Sequence, residues 1–138
     1  MIVSTAVGDV QVLAGNVPAR WQSLIRRGML FSECEGVEFW DLPEGSTLPV
    51  RAEDGTEEAV LVLRGAVGFR AQGQPAVPAG SGRLLLIPHG LAGELRAEEP
   101  ATALLVVRGL PAAVSRRLPA RLPELPAGEP VPHAQEER

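Results

Sequence analysis

Lysine and tyrosine are absent from this sequence, asparagine occurs once (Asn16), and all thirteen basic residues are arginine. With the abundance of Ala, Gly, Pro and Arg, these absences read as a high-GC coding bias and carry no functional meaning. One cysteine, Cys34, has no intrachain disulfide partner, so nothing points to an oxidising compartment. It reads as a small buried hydrophobe. No apolar run approaches the ~18 residues of a membrane span, so no membrane partner is expected. Residues 1–10 lack a basic segment followed by a long apolar stretch, so a secretory signal is not expected, and a cytoplasmic location follows by default. Net charge is −4, with no basic stripe to gather phosphates, which argues against nucleic acid as a partner. Also missing are zinc-type Cys/His spacing, a glycine loop opening a helix, and any serine–histidine pairing in a hydrolase frame.

What is present is a chain of 138 residues, 45% hydrophobic, which fits one domain with a sizeable core. Short β-branched or alternating runs recur along it, punctuated by Gly, Pro and Asp-Gly signals, with almost no helical periodicity. Strands are expected at Ile2-Val3, Val10 to Leu13, Met29 to Cys34, Val37 to Leu42, Ser46 to Glu53, Glu58 to Arg64 and Ala66 to Ala71. Further strands are expected at Arg83 to Ile87, Leu91 to Glu98 and Thr102 to Arg108. The segment from Trp21 to Gly28 is ambiguous, its length favouring a strand or irregular structure. Gln72 to Gly82 reads as a loop or broken strand. The run from Thr102 to Arg108 is apolar at nearly every position, as in a strand buried on both faces. The sum is an all-β barrel or sandwich. From about Leu118 the chain turns proline-rich with few large apolar groups and is expected to be extended or disordered.

One stretch carries a recognisable frame. From Gly45, five residues lead to Arg51, one more to Glu53, four more to Glu58, and six more to Gly65. After sixteen residues a second frame runs Gly82, five residues, Pro88, His89, Gly90, two residues, Gly93. Together these resemble the two motifs of the cupin family, over roughly residues 36–110. The resemblance implies a single-domain cupin-type β-barrel, a double-stranded β-helix or jelly roll, over 36–117. It also implies N-terminal strands within 1–35 that pair with a second subunit in a homodimer, and a tail over 118–138. In the family the positions of Arg51, Glu53, Glu58 and Gly93 hold His, His, Glu and His, which bind a metal. Here only Glu58 survives, so neither metal nor other cofactor is expected.

In the cupin register Arg51, Glu53 and Glu58 project into the barrel, where a guanidinium stands in for the dication. The alternative keeps Arg51 and Glu53 solvated at the rim; for Glu58, whose strand also carries Val60 and Val62, the interior reading is favoured. His89, in a Pro-His-Gly turn, is either an exposed turn histidine or a proton shuttle at the mouth. Trp40 reads as core or interface packing, with an aromatic lid as the other reading. Two functions follow. In the first, a metal-independent cupin acts on a small organic molecule by side-chain acid–base chemistry of the isomerase, cyclase or dehydratase type. Glu58, Glu53 and His89 are then catalytic. Arg51 and Trp40 contact substrate, and Val60 and Val62, with Leu84 and Leu86, form an apolar lining. In the second, the barrel is a non-catalytic small-molecule-binding or regulatory module.

Overall fold

The computed structural model describes residues 10–26 and 34–119. The strand expected at Ile2-Val3, nearly all of that from Met29, and most of the proline-rich tail lie outside these residues. The order is β1 (Val10–Ala14), β2 (Val17–Arg26), β3 (Cys34–Leu42), β4 (Thr47–Val50), a 3₁₀ turn (Ala52–Asp54), β5 (Glu57–Arg64) and β6 (Ala66–Ala71). Then come β7 (Val77–Gly80), β8 (Leu84–Ile87), β9 (Gly93–Ala97), β10 (Thr102–Gly109) and one short helix, α1 (Ala112–Ser115). The fold is all-β, as the turn signals predicted.

Two antiparallel sheets face each other, one of six strands in the order β1-β2-β3-β10-β5-β8, the other of four in the order β4-β9-β6-β7. Strand side chains alternate between faces. Val60 and Val62 of β5, Leu104 and Val106 of β10 and Leu42 of β3 therefore point inward from the first sheet. Leu48, Val67, Phe69 and Leu95 meet them from the second. β1 and β2 continue the ladder of β3, with Trp21 opposite Trp40 and Gln22 opposite Phe39, so the N-terminal strands are part of the same sheet as the barrel wall.

The chain crosses between sheets at Gly65, whose φ of +78° few other residues adopt. A Cβ there would sit 2.5 Å from Oγ1 of Thr102 and 2.8 Å from the carbonyl of Ala101. Thr102 is itself fully buried, its hydroxyl within reach of the carbonyls of Ala66 (3.3 Å) and Glu99 (3.1 Å). The frame glycine thus marks a point where two backbones nearly touch.

The expected strand from Ser46 to Glu53 ends early. β4 stops at Val50, and Ala52 to Asp54 form a 3₁₀ turn closed by Gly55 at φ 69°. Asp54-Gly55 does mark a turn, but that turn begins at Ala52, so Arg51 and Glu53 do not share a strand face. The stretch from Gln72 to Gly82, expected as a loop or broken strand, contains a short strand, β7, paired with β6.

Candidate functional site

β5 begins with an outward Glu57 and an inward Glu58, followed on the same inner face by Val60 and Val62. Across the ladder Arg108 stands opposite Glu58, as Val106 stands opposite Val60. β10 thus delivers a guanidinium at the end of its apolar inner row. Arg108 donates from Nε to Oε1 of Glu58 at 2.9 Å. Its Nη1 forms an ion pair with Oε1 of Glu38, which β3 places on the same inner face as Trp40. The second oxygen of Glu38 accepts hydrogen bonds from both indoles, Trp21 Nε1 at 2.6 Å and Trp40 Nε1 at 3.2 Å. The two rings lie 6.3 Å apart, inclined by 55°. One arginine is therefore gripped by two carboxylates, and one of those carboxylates is fixed by two tryptophans.

Trp21, Glu38 and Arg108 of this network border a cavity of about 530 Å³, which Glu58 and Trp40 do not line. Trp21, Ser23 and Ile25 of β2 and Glu35, Gly36 and Glu38 of β3 form one wall, with Arg108 at the floor. Asp54 and Thr56, from the turn between β4 and β5, border it on the other side.

Glu35, Glu38 and Asp54 line this cavity together with Arg108, and Glu58 is bonded to the same guanidinium. Burial raises the Glu58 carboxyl to about 7, and the nearby Asp54 charge adds to the rise. Burial also lowers Arg108 from its usual value. Glu58 therefore exchanges its proton near neutrality while remaining in contact with a cation.

The residues expected from the sequence are only partly assembled. Glu58 is interior. Arg51 and Glu53 are exposed, and among the described residues no ion pair joins either to Glu58. His89 is exposed in the turn after β8. Val60 and Val62 are fully buried in the core between the sheets, and Trp40 is half-buried against that core with its indole nitrogen on Glu38. Leu84 and Leu86, expected as lining, point outward because the inner positions of β8 are Leu85 and Ile87. Sequence reasoning misses Glu38 and Arg108. The alternation of β3 puts Glu38 on the face of Trp40 and Leu42, and a charge on an apolar face is the signal that finds it.

The positions that hold a metal in the resembled motifs do not converge here. Arg51 and Glu53 face solvent, and Gly93 has no room for a side chain, since its Cβ would lie 2.4 Å from the Arg70 carbonyl and 2.6 Å from the Phe69 ring. Among the described residues no group of three or more His, Cys, Asp or Glu is arranged to hold a metal ion. The donor set does not fit the family's ion. Nor, among these residues, is any helix long and apolar enough to cross a membrane.

No protein-family model and no curated protein sequence matches the chain. Solved structures do. A predicted oxalate decarboxylase from Thermotoga maritima superposes with a TM-score of 0.69 at 18% identity, over 80% of this chain and 100% of that one. A cupin 2 conserved barrel domain protein from Salinispora arenicola gives 0.64 at 14% identity, over 85% and 94%. An RmlC-like cupin protein from Desulfovibrio desulfuricans gives 0.58 at 21% identity, over 79% and 97%. At these identities the likeness establishes the architecture, which hosts enzymes and binding domains alike.

Proposed function

We propose that this protein, a cupin by fold, binds a small organic molecule in the cavity beside Arg108 and acts on it by proton transfer at Glu58. The observation that carries the reading is the Arg108 guanidinium held between Glu38 and Glu58 at the cavity floor. A structural ion pair needs one carboxylate. Here a second is retained, buried, on the same cation, and kept close to its titration point, a costly arrangement that suits a general acid or base.

In this reading Glu58 takes a proton from a carbon or hydroxyl of the bound molecule. The bond to hydrogen breaks, its electron pair stays on the substrate, and the developing oxyanion is met by Arg108. Protonation of Glu58 weakens its claim on the guanidinium as the substrate oxygen needs it. Return of the proton to a neighbouring position completes an isomerisation, and its delivery to a neighbouring hydroxyl, whose C–O bond breaks as water leaves and the substrate electron pair forms the double bond, completes a dehydration. Glu38, fixed by Trp21 and Trp40, holds Arg108 in place throughout. The role expected for Arg51 passes to Arg108.

One observation favours a second reading, a binding module without turnover. Glu53 and His89, the other expected acid–base groups, are exposed, and neither borders the cavity. Nor is Glu58 itself among the residues that line the cavity, where the carboxylates are Glu35, Glu38 and Asp54.

The two readings separate in one experiment. Carboxylic and carbonyl compounds are screened for thermal stabilisation of the wild-type chain. Those that bind are then incubated in deuterium oxide, and exchange at carbon is followed by NMR with wild type and Glu58→Gln. Exchange that disappears in Glu58→Gln while binding persists supports acid–base chemistry. Binding without exchange supports the module. Exchange undiminished in Glu58→Gln would remove Glu58 from the mechanism.

A further inference from the structure

The cavity beside Arg108 presents two opposite charges at separate places. Arg108 spends Nε on Glu58 and Nη1 on Glu38. A guanidinium holds several further N–H groups in a fixed fork, so Arg108 keeps donors at the cavity floor. An oxygen acceptor suits them, best one that carries charge.

The opposite charge is Asp54. Its side chain borders the cavity from the 3₁₀ turn between β4 and β5, and its charge acts on Glu58. Among the described residues no ion pair joins Asp54 to Arg108, which is drawn instead to Glu38 and Glu58. An anion and a cation thus border one enclosure without meeting.

The groups between them are already committed. Glu38 gives one oxygen to Arg108 and the other to both indoles, so it holds the wall and has little left for a ligand. The Trp21 nitrogen is spent on Glu38, and what Trp21 offers the cavity is its ring. Ile25 lines the same wall. Such a wall suits hydrocarbon, and its ring also tolerates a nearby cation.

We propose that the ligand of this cavity is a small molecule of amino acid type, with a carboxylate or carbonyl oxygen on Arg108, an ammonium on Asp54 and an apolar skeleton along Trp21 and Ile25. The class rests on the cavity being the ligand site, as proposed above, and adds a requirement that proton transfer at Glu58 does not make. A carboxylate without the amine leaves Asp54 facing a like charge. An amine without the oxygen leaves the Arg108 donors unmet. A zwitterion answers both charges and brings no net charge into the enclosure.

The test is calorimetric titration of the full chain with a panel of α- to δ-amino carboxylates bearing apolar side chains. Each is measured beside the same molecule without its amine and the same molecule without its carboxylate. Some amino carboxylate should bind about tenfold more tightly than both truncated partners, the worth of one hydrogen bond to a charged group. In Asp54→Asn that compound should fall to within about twofold of its amine-free partner, whose own affinity holds or rises. Asp54 is exposed on its turn, so the variant keeps the fold, which circular dichroism checks. Glu53→Gln, on the same turn but outside the cavity, should leave the preference intact.

If carboxylates or carbonyl compounds bind and the amine makes no difference, the amino class is overturned while the proposed function stands. A preference for the amine that survives Asp54→Asn overturns the role of Asp54. Amines that bind as tightly without the carboxylate remove Arg108 from recognition and overturn the proposal as well. If neither amino carboxylates nor plain carboxylates and carbonyl compounds bind, this proposal and the proposed function fall together.

Discussion

Glu58 and Arg108 stand directly opposite one another on β5 and β10, joined at 2.9 Å, on the inner face of the six-stranded sheet. Their relationship has a measurable pH signature. Glu58 is raised from 4.5 to about 7 on folding, so the folded chain holds this proton more tightly than the unfolded chain does. Its contribution to stability is greatest below pH 4.5, declines as pH rises from 4.5 to about 7, and is level above. The decline is on the order of 3 kcal/mol at most, since a tenfold difference in proton affinity is worth ~1.4 kcal/mol. Solvent entering the cavity screens the charge and reduces that figure. Urea denaturation at half-unit steps from pH 4.5 to 8 should show this fall in wild type. In Glu58→Gln, which keeps an acceptor for Arg108, the curve should be flatter over the same window.

Glu38 is the keystone of the network because three donors converge on it. Glu38→Ala strands the Arg108 guanidinium with one carboxylate and leaves two indole N–H groups without an acceptor. A loss of about 2–4 kcal/mol is expected from breaking one side of a buried pair. Glu38→Gln, retaining one acceptor oxygen, should lose about half as much. Equal losses in the two variants, measured by urea denaturation, would mean that the charge of Glu38 is irrelevant to holding Arg108.

The turn residues should behave as bystanders. Glu53→Ala and His89→Ala alter exposed side chains outside the cavity wall. Ligand affinity and any turnover should stay within about twofold of wild type, a change below ~0.5 kcal/mol as expected for surface sites. A tenfold loss in either variant, read by calorimetric titration, would mean that the turns close over the ligand.

Much of the fold is legible in the sequence because it rests on local chemistry. Turn glycines and the period-two alternation of β3, β5 and β6 set where strands begin, end and face, and the structure follows them closely. The departures come where a local rule meets a tertiary one. Arg51-Ala52-Glu53 continues the extended pattern of β4 in sequence, but the connection to the opposite sheet needs a tighter turn than Asp54-Gly55 alone provides. The site is less legible. Glu58 stands out because a frame points to it. Arg108 lies fifty positions further on, across a ladder that no local pattern reveals, and in sequence it is only the end of an apolar run. Leu84 and Leu86 look like lining until the register of β8 with β5 sets their parity.

Replacing the frame glycines should separate their roles. Gly65→Ala forces a Cβ against the Ala101 carbonyl and Thr102 at a left-handed φ, and should cost about 2–4 kcal/mol by denaturation, with strain and steric overlap together. Adding Gly93→His to Arg51→His and Glu53→His, so restoring the family's ligand letters, should not create a zinc site by calorimetry. Stoichiometric zinc binding by a folded triple variant would show that β9 can shift away from Phe69.

The only two tryptophans of the chain are both bonded to the same carboxylate at the cavity wall. The molecule therefore carries a built-in optical reporter. Intrinsic emission should register what happens around Glu38, with no contribution from tryptophan elsewhere and none from tyrosine. Titration of Glu58, displacement of Arg108 or arrival of a ligand should each change it in unlabelled wild-type protein.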